Sequence, residues 1–240
     1  FIDSRADLYA PEFNPKKDIF MDFINVSSIG TFYEDLFKKY DISACIIASV
    51  VDELSKILKN AADNVFHLNS MLLSPKLNLG IKIKLKNPKE AGADRIANAC
   101  GAYVLYSKPA IIVDLGTATT FDIINKEGDF VGGVIMPGLN LQFRALNKST
   151  SKLPKIEPDT VKKAIGDNTV DAILSGVIRG SACAIEGLIE QCENELGEKA
   201  CIIATGGYSS LIAKYMTRKF DFVNPYLTLE GLRFLYELNK

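Results

Sequence analysis

The stretch 111-IIVDLGTATTFDII-124 leads an apolar run into an aspartate and a glycine, and returns through threonines to a second apolar run. Short β-branched runs of this kind are typical of buried strands, and the glycine between them predicts a tight turn. The stretch therefore indicates a strand pair. The carboxylate and the hydroxyls at its turn raise the question of which ligand they meet.

The polar residues of this turn have two interpretations. The hydroxyls of Thr117, Thr119 and Thr120 and the backbone amides around Gly116 would line a pocket for phosphate oxygens. Asp114 would repel a bare phosphate, so it suits such a pocket only beside a cation that bridges it to the phosphates. The alternative is a polar hairpin turn in which Asp114 bonds its own backbone.

Composition narrows the class of protein. The chain has 240 residues, of which 48% are hydrophobic and 24% charged, with a formal net charge of -1. This is ordinary globular composition, and it predicts neither nucleic-acid nor membrane-surface binding. The longest apolar runs are too short for a membrane span, and the chain opens without a signal-peptide pattern. Five scattered cysteines and one histidine indicate reduced thiols in a cytoplasmic protein, without a zinc site.

Strand and helix patterns alternate along the chain. Strands are predicted over 44–50, 81–85, 110–116, 120–125, 130–136 and 200–207, with a hairpin turn at 125–129. Helices are predicted over 31–40, 52–64, 94–106, 139–150, 168–196, 208–217 and 228–240, the last with Thr228 as its N-cap. Two α/β units with mixed sheets, with a ligand cleft between them, are the natural interpretation.

Two further segments carry chemistry. In 87-NPKEAGADRIANACGAYVLY-106, Asp94 stands in the first turn of an apolar helix, either as a helix-start carboxylate or as a base beside the cationic Arg95. In 202-IIATGGYSS-210, Gly206 and Gly207 follow a strand and allow a flat ligand to approach the backbone, although a plain glycine turn is equally compatible. Neither segment has the Rossmann or Walker pattern.

Two other segments look mainly architectural. The segment 130-FVGGVIMPGLNLQFRAL-146 has paired glycines and a Pro-Gly turn before a helix. In 165-IGDNTVDAILSGVIRG-180, Thr169 stands at a helix start, where it would act as a cap, and Gly176 and Gly180 suit close helix packing.

Taken in order, these blocks resemble the type III pantothenate kinase family. The resemblance rests on GADRIANACGA, VDLGTATTFDII, FVGGVIMPGL, KLP at 152–154, GDNTVDAILSG, TGG and LEGL, and it runs from about residue 45 to the C-terminus. Each block is unspecific alone, whereas the ordered set is specific. The first 40 residues carry no motif of this family.

The resemblance implies the fold of the superfamily that contains acetate and sugar kinases and actin. Two ribonuclease H-like domains with mixed sheets, over 1–108 and 109–240, would flank an ATP cleft, with the C-terminal helix packing back on the first. The implied enzyme is a cytoplasmic homodimer that transfers the γ-phosphate of ATP to the 4′-hydroxyl of pantothenate, the first step of coenzyme A biosynthesis. Mg²⁺ and a monovalent cation, K⁺ or NH₄⁺, are its implied cofactors.

The family motifs also imply roles for individual residues. Asp94 would be the general base, in a pantothenate pocket shaped by Gly92, Ala93 and Arg95 and completed by Thr169, from the partner subunit. Asp114 would hold the monovalent cation and Thr117 would contact the ATP phosphates. Gly116 would also belong to the ATP site, and Gly206 and Gly207 would lie near the adenosine.

One departure from the family pattern favours an alternative. The family opens with a D-x-G-N-[TS] phosphate loop that this chain lacks, so we expect about 10–20 further residues upstream in the natural protein. The alternative is a catalytically silent accessory protein of the Bvg accessory factor type. Asp94, Arg95, Asp114 and Thr117, which are all present, argue for the kinase.

Overall fold

The computed structural model describes residues 2–3, 42–49, 52–149 and 153–240. The helix predicted over 31–40 lies outside these residues. The chain divides into two compact units. The first unit comprises Phe1–Gly80, Lys86–Gly101 and Thr228–Lys240, and the second unit comprises Ile81–Leu85 and Ala102–Leu227. The domain boundary at residue 108 stays a prediction.

The first unit contains a parallel sheet with one helix packed on it. Strands β1 (Ile2–Asp3), β2 (Ile46–Ala48) and β3 (Met71–Leu72) lie in that order. Helix α1 (Asp52–Phe66) buries its apolar face against β2. The predicted strand and helix of this region are therefore confirmed, with the strand shorter than expected.

Two further helices pack tightly within the first unit. Helix α2 (Ala93–Leu105) begins in the first unit, and its last turn belongs to the second unit. Helix α7 (Leu227–Asn239) is the last helix of the chain. Gly231 of α7 lies so close to α2 that an added Cβ would be 1.9 Å from the carbonyl oxygen of Ala97. Only glycine permits this approach.

The N-cap predicted at Thr228 is wrong. Helix α7 already begins at Leu227, and the Thr228 hydroxyl is buried, where it donates a hydrogen bond of 2.7 Å to Oδ1 of Asn98 on α2. A hydroxyl near a helix start predicts a cap, whereas here the Thr228 hydroxyl joins two helices.

The second unit is built on a five-stranded mixed sheet. Its strands are β4 (Ala110–Leu115), β5 (Ala118–Ile124), β6 (Phe130–Pro137), β7 (Cys201–Thr205) and β8 (Phe222–Val223), in the order β6-β5-β4-β7-β8. Strand β5 is antiparallel to β4 and β6, whereas β7 is parallel to β4 and β8. This is the ribonuclease H-like arrangement that the mixed-sheet prediction requires.

One face of this sheet carries the main core. The odd-numbered residues of β4 and β5 and the even-numbered residues of β7 pack against helices, because side chains alternate between the two faces of a strand. The helices of the second unit are α3 (Leu139–Ser149), α4 (Thr169–Leu174), a π-helical turn (Ser175–Arg179), α5 (Gly180–Leu196) and α6 (Ser209–Ala213).

Residues 169–196 form one continuous helical stretch. By length and composition alone this stretch would suit a membrane span, but its residues Ile178, Ile185 and Ile189 are buried in the core of the second unit. This is the behaviour of a core helix. The π-helical turn within it was not predicted.

Two predicted elements of the second unit are wrong or too long. Residues 81–85 form no strand, because they pair only through one isolated bridge from Ile83 to Phe130. The helix predicted over 208–217 ends at Ala213. Beyond it, the backbone amides of Thr217 and Arg218 donate to the Glu186 carboxylate instead of continuing the helix.

A buried carboxylate links α5 to the edge of the sheet. Glu193, whose side chain is 2% exposed, accepts two hydrogen bonds of 2.6 Å from Arg218 and one of 3.0 Å from the Ala200 amide. The Arg218 guanidinium, with the ammonium of Lys199, lowers the pKa of Glu193 from 4.5 to about 2. A carboxylate with a depressed pKa stabilises the fold only while it is ionised.

We expect the Glu193 contribution to stability to be fully present above pH 4.5 and to disappear as the pH falls from 4.5 towards 2. The variant Glu193→Gln should therefore be less stable than the parent chain by about 2 kcal/mol at neutral pH, because Arg218 loses its ionic partner. Urea unfolding at pH 7 and near pH 3 measures this difference. A gap that stays constant between the two pH values would contradict the assignment.

Candidate active site

A buried carboxylate lies at the end of the central strand β4. Asp114 is 2% exposed, and its strand neighbours are Thr120 on β5 and Thr205 on β7. Residues in register on adjacent strands point to the same face of a sheet, so the three side chains form a row of oxygen atoms. This row lies on the face opposite the helical core, whose members are Val113, Leu115 and their neighbours.

The threonines of the β4–β5 hairpin do not act together as predicted. Thr119 is buried and pairs with Leu115 and Met136, which belong to the helical side of the sheet. Thr120 lies on the Asp114 side, and Thr117 is exposed at the turn. The expectation that Thr119 lines the same pocket is therefore wrong, because side chains alternate along a strand.

A glycine turn closes over the end of β4. Gly206 has φ +85°, and an added Cβ would lie 2.6 Å from Oδ1 of Asp114. The amide of Tyr208 donates to the carbonyl oxygen of Leu115 at 3.2 Å, which holds the turn in place. Gly207 has open space around it, with no described atom within 4 Å of an added Cβ. The two glycines of the TGG motif thus differ: the φ of Gly206 and its closeness to Asp114 and Leu115 require glycine, whereas Gly207 has room for a side chain.

The hairpin turn itself is braced by the segment that follows β6. The amide of Gly138 donates to the carbonyl oxygen of Thr117 at 3.2 Å, and an added Cβ at Gly138 would lie 2.5 Å from the carbonyl oxygen of Gly116. The Pro-Gly turn predicted as architecture therefore positions Gly116 and Thr117, the two hairpin residues of the predicted ATP site.

Thr205 has a polar atom without a partner. Its side chain is 1% exposed, and its Oγ1 makes no hydrogen bond within the part of the chain that the structure describes. Buried hydroxyl groups are normally satisfied, so this exception requires an explanation. The TGG pattern predicts either close approach of a flat ligand to Gly206 and Gly207 or a plain glycine turn, and it assigns no role to Thr205.

The second group of predicted residues lies in the first unit. Asp94 is half-buried in the first turn of α2, and its Oδ1 accepts a hydrogen bond of 2.8 Å from the backbone amide of Arg95. Gly92 and Ala93 lead into the helix, and the carbonyl oxygen of Gly92 accepts its first bond, from the amide of Ile96. A helix N-terminus favours an ionised carboxylate.

The last predicted residue, Thr169, lies apart from Asp114. It is the first residue of α4, and the N-cap is its neighbour Asn168, which accepts a hydrogen bond of 3.0 Å from the amide of Asp171. Helix α4 and the turn after it pack on the helical side of the sheet. The sheet therefore separates Thr169 from Asp114 within one chain.

Thr169 forms part of the wall of an open groove of about 650 Å³ on the second unit. The groove is lined mainly by apolar residues of α3, α4 and the π-helical turn, including Leu146, Ile173 and Gly176. The close helix packing predicted for Gly176 and Gly180 is wrong, because an added Cβ at either position would meet no described atom within 4 Å.

The structure thus brings the predicted residues together in two groups and leaves Thr169 separate. Asp114, Gly116, Thr117, Gly206 and Gly207 converge around the end of β4, and residues 92–95 form the start of α2. Among the described residues no cluster of three His, Cys, Asp or Glu side chains is suited to a metal ion. A cation at Asp114 would therefore depend on hydroxyl and carbonyl oxygens for its other ligands.

Comparison with known proteins gives a match to one protein family. The family model for type III pantothenate kinase matches residues 22–191. This match begins upstream of residue 45, where the sequence motifs first became recognisable. A type III pantothenate kinase of Dehalococcoides mccartyi strain CBDB1 is 46% identical over 200 residues, which cover 83% of this chain and 76% of the relative. The corresponding enzyme of Bacillus cytotoxicus is 40% identical over 199 residues, with 83% and 76% covered.

Solved structures agree on the fold. A conserved Baf family protein from Campylobacter jejuni superposes with a TM-score of 0.59 at 22% identity, over 85% of this chain and 86% of that one. The ethanolamine utilization protein EutJ from Carboxydothermus hydrogenoformans superposes with a TM-score of 0.51 at 15% identity, over 87% and 74%. At these identities the likeness concerns the fold alone, which is that of actin-like ATPases.

We expect Gly206→Ala to destabilise the protein by about 1–3 kcal/mol, because the new Cβ would clash with the Asp114 carboxylate and the Leu115 backbone and φ +85° disfavours any side chain. The matched control is Gly207→Ala, which meets open space and should change stability by no more than about 0.5 kcal/mol. Thermal or urea unfolding of the two variants tests the difference. Equal stabilities would refute the close approach of Gly206 to the end of β4.

Proposed function

The chain belongs to the type III pantothenate kinase family, and from this premise we propose which of its residues carry the reaction. It is an ATP-dependent pantothenate kinase of coenzyme A biosynthesis. The silent accessory role is not favoured, because the curated relatives at 40–46% identity are named as the kinase.

The observation that carries the proposal is the row of oxygen atoms around Asp114 with the Gly206 turn against it. A buried carboxylate at a strand end, flanked by hydroxyls and by backbone that only glycine permits, suits a nucleotide phosphate held through a cation. Thr117 would contact the ATP phosphates from the hairpin turn, together with the amides at Gly116. Gly206 and Gly207 would lie beside the adenosine, where a flat ligand needs close backbone approach.

Asp94 is proposed as the general base. Its carboxylate would accept the proton of the pantothenate 4′-hydroxyl as that oxygen bonds to the γ-phosphorus and the bond from phosphorus to the β–γ bridging oxygen breaks, with ADP as the leaving group. An aspartate ionised at neutral pH can perform this step. Arg95, next in the chain, would face the carboxylate of pantothenate, and Gly92 and Ala93 would leave room for the substrate beside the helix start.

Asp114 is proposed as the ligand of a monovalent cation, K⁺ or NH₄⁺. The donor set fits such an ion, because one carboxylate and neutral hydroxyl and carbonyl oxygens suit a weakly charged, oxygen-seeking cation. When bound, the cation would offset the repulsion between Asp114 and the phosphates. Mg²⁺ is the expected divalent cofactor of the kinase reaction.

The proposed assembly is a cytoplasmic homodimer. Thr169 lies on the helical side of the sheet of the second unit, on the face opposite Asp114. A second copy would bring Thr169 to the pantothenate pocket of its neighbour. The exposed apolar side chains Ile165 and Val170, on either side of Thr169 in the sequence, support burial of this region against such a copy. The cysteines among the described residues are free, which suits a reducing compartment.

The experiment that tests the activity is a coupled assay that follows ADP release with pantothenate, ATP, Mg²⁺ and K⁺. We expect Asp94→Asn to lower kcat by roughly 10²–10⁴-fold, the usual contribution of a general base, because the amide cannot accept the proton. Pantothenate binding, measured by calorimetry, should survive this near-isosteric change. A variant with the parent rate would remove Asp94 from the role of base.

The cation role of Asp114 has its own test. We expect Asp114→Asn to raise the K⁺ concentration required for half-maximal activity by about tenfold or more, because the amide lacks the negative charge that holds the ion. Titration of KCl against choline chloride at constant ionic strength measures this value. An unchanged K⁺ titration in the variant would contradict the assignment.

A further inference from the structure

We infer that Thr205 is a second ligand of the monovalent cation, beside Asp114, an inference that rests on the cation role proposed above. The TGG motif, of which Thr205 is the first residue, assigns no function to this hydroxyl. Its place in the sheet, its burial and its missing partner carry the inference.

The first step is position. Thr205 ends β7, and its register partner on the parallel strand β4 is Asp114. Partners on adjacent strands have side chains side by side on one face, about 5 Å apart at Cβ. Oδ1 of Asp114 reaches to within 2.6 Å of a Cβ built on Gly206, the residue after Thr205. The carboxylate therefore leans towards the end of β7, where Thr205 stands.

The second step is the unsatisfied hydroxyl. Thr205 is 1% exposed, and its Oγ1 has no hydrogen-bond partner among the residues that the structure describes. A hydroxyl next to a carboxylate would ordinarily donate its proton to that carboxylate, and this bond is not formed. Both the proton and the lone pairs of Oγ1 are therefore unused among these residues, and the lone pairs are available to a cation.

The third step is the chemistry of that group. A phosphate oxygen close to Oγ1 would also be close to the Asp114 carboxylate, and the two negative charges would repel each other. A cation satisfies both residues at once, because carboxylate and hydroxyl oxygens both present lone pairs to it. Such a site contains one acidic group, and among the described residues no cluster of three His, Cys, Asp or Glu side chains surrounds it.

The experiment follows thermal unfolding in the presence of Mg²⁺ and a non-hydrolysable ATP analogue, with KCl replacing choline chloride at constant ionic strength. The variants are Thr205→Val, which removes the hydroxyl at almost constant volume, and Thr205→Ser, which keeps it. The matched control is Thr119→Val, a buried threonine on the opposite face of the same sheet. If valine is not tolerated at residue 205, Thr205→Ala makes the same test.

The expected result has two parts. In KCl, the concentration that gives half the maximal rise in Tm should increase about tenfold in Thr205→Val and stay near the parent value in Thr205→Ser and Thr119→Val. In choline chloride alone, Thr205→Val should melt at or above the parent Tm, because it removes a buried hydroxyl that has no partner.

Three outcomes would overturn the inference, and each one is distinct. If K⁺ stabilises the parent protein but not Asp114→Asn, and Thr205→Val responds like the parent, the cation site stands without Thr205. If K⁺ does not raise the Tm of the parent, the cation role proposed for Asp114 fails as well. If calorimetry in choline chloride shows weaker binding of the ATP analogue to Thr205→Val, Thr205 contacts the nucleotide instead of the cation.

Discussion

The close approach of the β7–α6 turn to the end of β4 is the constraint on which the site depends. Gly206 adopts φ +85°. A Cβ added to Gly206 would lie 2.6 Å from Oδ1 of Asp114. This contact borders the carboxylate, and the turn of the β4–β5 hairpin begins two residues after Asp114. Because the two strands are parallel neighbours, their ends lie at the same edge of the sheet, and loops after such ends are where α/β proteins bind ligands.

The sheet divides the second unit chemically as well as spatially. Alternation along β4 and β5 sends Val113, Leu115 and Phe121 into the helical core and Asp114 and Thr120 to the opposite face. A shift of register by one residue would exchange these faces and bury the carboxylate in the apolar core, so the core itself enforces the orientation of Asp114. The same strand register therefore both buries the apolar core and places Asp114 and Thr120 on the opposite face.

Much of this could be predicted from the sequence, because the decisive signals are local. The β-branched runs at 110–116 and 200–207 predicted β4 and β7, and the turn at 125–129 predicted the hairpin in which Gly128 has φ +83°. Asp94 at the start of α2 also followed from local pattern.

The remaining features depend on contacts between distant parts of the chain, which no window of sequence contains. Gly206 meets Asp114 and the backbone of Leu115, about 90 residues earlier in the chain, and the Thr228 hydroxyl bonds to Asn98 on another helix. Residues 81–85 have the sequence pattern of a strand, but only Ile83 finds a partner, in an isolated bridge to Phe130. Whether a partner strand is available cannot be read from the local sequence. Thr119 and Thr120 could be assigned to different faces from alternation alone, but the face that meets solvent or ligand becomes known only with the register.

The energetics of Asp114 explain why these oxygens and glycines occur together. A carboxylate that is 2% exposed bears a desolvation cost that its surroundings must offset, and nearby phosphates would add repulsion. A cation held jointly by Asp114 and Thr205 resolves both costs when the nucleotide binds, because it neutralises the carboxylate and satisfies the hydroxyl. On this view the unpaired Oγ1 of Thr205 lowers the stability of the free protein. In the bound state the same oxygen strengthens the binding of the cation.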